Sequence, residues 1–265
     1  MIQHIEDPND PRLEPYRAVR ERDLSGRQGL FVIEGRVVLE KAIRVAGIES
    51  VLLAEARLAG LADVLAALPA PTPVYVAGQA VMDAIVGFPI HRGVLAMGRR
   101  VERSAADLLD GCGATALLVG LVGVANHDNM GGVFRNAAAF GVDAVALDDT
   151  CCDPLYRKAI RVSVGACLTT PFARLGGAEE MAGRLAAAGF EVVALSPDGR
   201  ETLATFEPGP RTAVLFGAEG PGLPDAILAR ARTLRIPMSG GFDSLNLATT
   251  SGIVLHHIAS QLANR

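Results

Sequence analysis

Near the C-terminal end, Ser239, Gly240, Gly241, Asp243, Ser244 and Asn246 crowd polar and permissive side chains into one apolar-flanked turn. They belong to I-P-M-S-G-G-F-D-S-L-N-L-A-T-T-S-G-I-V-L-H-H-I, from Ile236 to Ile258. That segment reads as a short buried strand, a glycine-bearing loop and a long apolar helix. Glycine lets backbone approach a ligand closely, and a helix N-terminus offers unsatisfied N–H groups, so the chemistry suggested is ligand holding. Ser244 or Asn246 serves equally well as a plain helix cap. Upstream, Asn129 and Arg135 sit in N-M-G-G-V-F-R-N-A-A-A-F-G. A guanidinium there can grip a phosphate or stabilise a developing oxyanion, or simply snorkel to solvent. Glu219 lies among Gly217, Gly220 and Gly222 in A-V-L-F-G-A-E-G-P-G-L-P-D. Read alone, it is a solvent-facing loop acid.

Taken together and in this order, the three segments resemble the motifs of the SpoU family, within the knotted SPOUT class of RNA methyltransferases. The family pattern pairs Asn with Arg in the first motif, as Asn129 and Arg135 do here. It then has Gly-x-Glu-x-x-Gly-Leu, here Gly217 to Leu223, and Ile-Pro-Met followed by Ser-Leu-Asn, here Ile236 to Asn246. The resemblance implies an S-adenosylmethionine-dependent enzyme that methylates a ribose 2′-hydroxyl of structured tRNA or rRNA. It also implies a deep trefoil knot and a homodimer; the donor's methyl is already activated, so no metal is expected. Arg135 is thereby placed at the reaction centre, against the target nucleotide. A guanidinium holds its proton too firmly to be a good base, so oxyanion stabilisation is the physically safer role. Asn129 would orient substrate or hold the neighbouring loop, and Glu219 would organise the cleft by accepting backbone or Asn129 hydrogen bonds. Ser244 and Asn246 would shape the cleft beside Arg135. Cofactor contacts, largely from loop backbone, fall on Gly217, Ile236, Met238 and Leu245, with Leu195 and Ser196 lining the same pocket. The first motif departs from the commoner D-P-x-N by reading N-H-D-N, which leaves the RNA subgroup open. His127 and Asp128 there read as an acid–base pair or as a loop variant.

Two other readings stay open. One is a knotted methyltransferase acting on a base nitrogen, and the other is a non-catalytic RNA- or ribosome-binding protein of the same fold. A dehydrogenase or NTPase is disfavoured, because neither G-x-G-x-x-G after the first strand of the later domain nor G-x-x-x-x-G-K-[ST] occurs.

The elements that must position these residues follow from apolar periodicity. Residues 1–100 read as a small α/β domain resembling ribosomal protein L30e, an RNA substrate-binding unit, on the strength of F-V-I-E-G and H-R-G-V. Its strands fall at Phe31 to Gly35, Glu49 to Ala54, Thr72 to Ala77 and Arg92 to Met97, with a helix over Val37 to Ala46. A mixed-charge stretch, 101–112, reads as a linker. From 113 to 265 the pattern is a doubly wound, Rossmann-like parallel α/β domain with ligands at the strand C-terminal ends. Helices are expected over Met130 to Phe140, Pro154 to Ala166, Glu179 to Ala188 and Leu245 to Leu262, and Pro224 suits the first turn of another.

Of the 265 residues 50% are hydrophobic and 20% charged, which suits globular cores. No apolar run reaches the roughly 20 residues of a membrane helix, and no secretion signal opens the chain, so a cytoplasmic protein is expected. The net charge of −4 excludes a strongly basic nucleic-acid coat but not a local patch. Candidate patches are Arg12, Arg17, Arg20, Arg22 and Arg27, then Arg157, Lys158 and Arg161, then Arg230, Arg232 and Arg235. Cys112, Cys151, Cys152 and Cys167 fit no common zinc spacing and are expected to be reduced thiols.

Overall fold

The computed structural model describes residues 2–17, 29–86, 93–240 and 244–263. The chain forms two compact units, Met1–Val101 with Leu155–Thr169, and Glu102–Pro154 with Thr170–Arg265. Arg20, Arg22, Arg27, His91, Arg92, Gly241 and Asp243 lie outside the described residues.

The first unit is built on strands β1 (Ile2–Ile5), β2 (Leu30–Glu34), β3 (Gly47–Ala54), β4 (Val74–Ala77) and β5 (Val94–Arg99), in sheet order β1-β4-β3-β5-β2. The first three in that order run parallel, and β5 is antiparallel to both its neighbours. Strand β1 was not expected from its acidic, proline-broken surroundings; it adds to the sheet edge through in-register pairing of Ile2 with Val74. Leu13, Tyr16, Leu52 and Leu95 fill the core, and the Tyr16 hydroxyl meets Ser50 Oγ at 2.7 Å so that neither is buried unpaired. The single helix expected over Pro154 to Ala166 is instead two short ones, Arg157–Val162 and Ala166–Thr169. Val164 (φ 52°) and Gly165 (φ 79°) turn the chain between them. Lys41 Nζ donates to the Val164 carbonyl at 2.8 Å, satisfying a group that the broken helix leaves open. Arg157 faces Glu34 at 3.6 Å, which groups this segment with the first unit's sheet.

The second unit holds β6 (Ala116–Leu121), β7 (Ala144–Leu147), β8 (Phe172–Arg174), β9 (Glu191–Leu195), β10 (Glu201–Thr202), β11 (Arg211–Phe216) and β12 (Arg232–Arg235). Their order is β10-β12-β9-β11-β6-β7-β8, and every pairing is parallel. Wholly buried runs such as Ala-Leu-Leu-Val-Gly-Leu in β6 are what a sheet covered on both faces requires. The strand expected at Ile236 lies just before it, at Arg232–Arg235. Residues 101–112, expected as a linker, carry the helix Ala105–Asp110, because Ser104 Oγ caps it (from Asp107 N, 3.1 Å) and Leu108 is buried in the second unit's core. The first-motif helix runs over His127–Ala139, starting earlier than expected because Asn126 caps it through the Asp128 N–H at 2.8 Å. The C-terminal helix spans Leu247–Ala263. Among the described residues no helix is long and apolar enough to cross a membrane.

Candidate active site

Parallel strands deliver their following loops to one end of the sheet, so the turns after β6, β9, β11 and β12 converge. The turn after β9 is closed by Ser196, whose N–H bonds the Leu234 carbonyl at 2.9 Å and whose carbonyl accepts from Gly199 N at 3.1 Å. The loop after β11 folds back on itself: Gly222 N donates to Ala218 O at 3.0 Å, and Gly220 (φ 86°) and Gly222 (φ 70°) take left-handed conformations that favour glycine. Gly217 is required for closeness, since a Cβ there would lie 2.2 Å from the Gly222 carbonyl carbon. Between these turns and the start of the C-terminal helix is a cleft of about 730 Å³. That lies within the roughly 300–1,000 Å³ of small-molecule sites.

Leu195, Ser196, Gly217, Ile236, Met238 and Leu245, expected from the family resemblance to contact a cofactor, all line this cleft, as do Glu219, Ser244 and Asn246. Asn129 lies beneath, 3% exposed, and joins the three motifs. Its Nδ2 donates to Glu219 Oε1 at 2.6 Å, and its Oδ1 accepts from Asn246 Nδ2 at 2.8 Å. Asn246 Oδ1 then caps the C-terminal helix, accepting from Ala248 N at 2.9 Å and Thr249 N at 3.3 Å. A carboxylate only accepts, so Glu219 fixes the orientation of the Asn129 amide, and that amide fixes Asn246. Breaking one link strands a buried polar group at a cost of about 1–3 kcal/mol. Asn246 is thus both the helix cap and a member of the site.

The same two helices are locked side by side. Asn136 Nδ2 donates to Ala248 O at 2.6 Å and Ser251 Oγ at 2.9 Å, and a Cβ at Gly132 would come within 2.4 Å of Ala248 Cβ. Arg135, on the same helix as Asn129, is exposed, lies outside the cleft lining and has no hydrogen-bond or ion-pair partner among the described residues.

Asp148 escaped sequence reading because it looks like an ordinary strand-end acid. It is 3% exposed, and Oδ1 accepts from Gly123 N at 3.1 Å, Thr150 N at 3.1 Å and Cys151 N at 3.0 Å. It thereby ties the loop that leads into the first-motif helix. Asp198 and Asp225 also line the cleft, at turn and helix-start positions whose only sequence signal was their place after a strand or a glycine loop. The cysteines are free thiols, and burial pushes Cys151 up to about 12 and Cys152 up to about 11, away from nucleophilic chemistry.

Among the described residues of the basic clusters, several are engaged in ion pairs. Arg12 pairs with Asp10, Arg17 with Glu14, and Arg232 with Glu191 and Glu201 at 2.9 and 2.7 Å. Arg161 and Arg230 remain exposed.

Comparison with known proteins agrees with this geometry. The SpoU rRNA methylase family profile matches residues 116–256. An uncharacterised tRNA/rRNA methyltransferase of Mycobacterium bovis is 40% identical, over 96% of this chain and 91% of that protein. A crystal structure of an RNA 2′-O ribose methyltransferase superposes with a TM-score of 0.83 at 26% identity, covering 99% of this chain and 100% of that one. An AdoMet-bound rRNA methyltransferase from Sinorhizobium meliloti shares the fold, with a TM-score of 0.83 at 24% identity over 97% of both chains. With its three motifs meeting at one buried asparagine and a 40% identical relative matched nearly end to end, this chain belongs to the SpoU rRNA methylase family.

Proposed function

We propose that the protein transfers a methyl group from S-adenosylmethionine to a ribose 2′-hydroxyl of structured tRNA or rRNA. The observation that carries this reading is the Glu219–Asn129–Asn246 chain, which holds three motifs rigidly beside a cleft of cofactor size. S-adenosylmethionine would supply a methyl already activated on a positively charged sulfur, chemistry that needs no metal. The residues suit it: Leu195, Ile236, Met238 and Leu245 offer apolar walls, and the glycine loop offers close backbone. Arg135, unpaired among the described residues, would grip the target nucleotide and stabilise the oxyanion developing at its 2′-oxygen. Asn129 and Glu219 hold the loops in register, and Ser244 borders the cleft. The 26% identical RNA 2′-O ribose methyltransferase supports ribose oxygen over base nitrogen as the acceptor.

The same reading includes a cytoplasmic enzyme whose C-terminal domain is trefoil-knotted and whose residues 1–100 form an L30e-like domain that grips RNA. It also includes a homodimer with the active site near the subunit contact. Within one chain the C-terminal helix already buries Val254, Leu255 and Ile258, so the apolar surface left for a partner narrows to residues such as Leu245 (43% exposed) and Ile253 (40%).

Titration calorimetry with a chelator present should show S-adenosylhomocysteine binding to the folded protein. A folded sample that fails to bind would favour the non-catalytic scaffold. Light scattering on dilute protein should give twice the 27.6 kDa chain mass. An active monomer would rule out the shared site.

A further inference from the structure

The cleft wall carries the carboxylates of Asp198, Glu219 and Asp225 and, among the described residues, no lysine, arginine or histidine. Glu219 is engaged by Asn129. Asp198 sits on the turn after β9, its N–H bonded to Ser196 Oγ at 3.3 Å, and Asp225 opens the short helix Asp225–Leu228 beyond the glycine loop. Neither carboxylate is in an ion pair among the described residues. Arg235, next to the cleft residue Ile236, is committed to the Gly199 carbonyl behind the turn. The wall is therefore anionic, with neither Asp198 nor Asp225 neutralised by an ion pair among the described residues.

We propose that Asp198 and Asp225 make the cleft select the cationic methyl donor over its neutral spent product. This rests on the cofactor reading above. In the transfer the S–CH3 bond breaks, an O–CH3 bond forms, the sulfonium becomes a neutral thioether and the hydroxyl proton leaves to solvent. S-adenosylmethionine carries a sulfonium and an ammonium against one carboxylate, whereas S-adenosylhomocysteine has lost the sulfonium charge. An anionic wall attracts the first by its net charge and is nearly indifferent to the second. Product thus leaves a site that fresh donor re-enters preferentially. The same field disfavours RNA phosphate inside the cleft, consistent with Arg135 lying outside its lining.

The test is calorimetric binding of S-adenosylmethionine, S-adenosylhomocysteine and sinefungin, whose amine restores positive charge near the sulfur position. The proteins compared are the full-length wild type, Asp198→Asn, Asp225→Asn and the double variant. Both substitutions are nearly isosteric and at exposed positions, and thermal melts check that folding is kept. Each should weaken the two cationic ligands about threefold, and the double variant about tenfold, with S-adenosylhomocysteine unchanged within about 1.5-fold. Raising ionic strength from about 0.02 to 0.5 M should narrow the wild type's preference markedly and the double variant's, which keeps only the Glu219 carboxylate, much less. Parallel weakening of all three ligands, or no change in any, would overturn the charge selection while leaving the cofactor site standing. Failure of the wild type to bind any of them would overturn both.

Discussion

Arg135→Ala is expected to lower methyl transfer at least ~100-fold while leaving the affinity for S-adenosylhomocysteine within about twofold. The split follows from position. Arg135 is exposed, makes no bond to the Glu219–Asn129–Asn246 chain and does not line the cleft, so its loss leaves the cofactor walls intact. What disappears is positive charge directed at substrate, and removal of one preorganised oxyanion partner typically has this magnitude. Arg135→Lys should recover only part of the rate, since an ammonium lacks the planar fork that grips phosphate oxygens in pairs. Single-turnover kinetics at saturating cofactor, beside calorimetry, separates the two effects. Full activity in the alanine variant would remove Arg135 from the reaction centre.

Gly217→Ala should have the opposite signature, weakening S-adenosylhomocysteine binding at least ~50-fold. The added Cβ would meet the Gly222 carbonyl carbon at 2.2 Å, its oxygen at 2.4 Å and Leu223 N at 2.4 Å. These are backbone atoms on the return limb of the same loop, so relief requires the limb to move, taking the cleft wall and Glu219 with it. Gly220→Ala is the control. Its φ of 86° strains a side chain, but nothing lies within 4 Å of the added atom. The cost there is about 1–2 kcal/mol of local backbone strain, with the wall left in place. Equal binding by the Gly217 variant and the wild type would mean that the cofactor does not sit against this loop.

Local chemistry was legible in the chain itself. Glycine in the G-A-E-G-P-G loop, asparagine before an apolar helix and unbroken apolar runs in β6 and β11 act over a few residues. Backbone sterics, capping and burial therefore declare them directly, and the parallel α/β architecture follows; the cleft-lining residues came from the family resemblance of the three motifs. Short-range logic also explains the misplacements. Apolar periodicity carried one helix through Val164 and Gly165, where the backbone turns left-handed and Lys41, far away in sequence, takes the freed carbonyl. The resemblance already offered Asn129 as a donor to Glu219, 90 residues away; only the tertiary structure decided that its other amide atom would take Asn246, 117 residues away. It alone decided that 155–169 would pack with the first unit, and that Asp198 and Asp225 would face one cavity. The physical reason is that a parallel sheet gathers loops by strand order, β12-β9-β11-β6 here, and that order is not the order of the chain. Sequence spacing reports which face of an element is apolar; which loops meet at the sheet's end is settled by how strands pair.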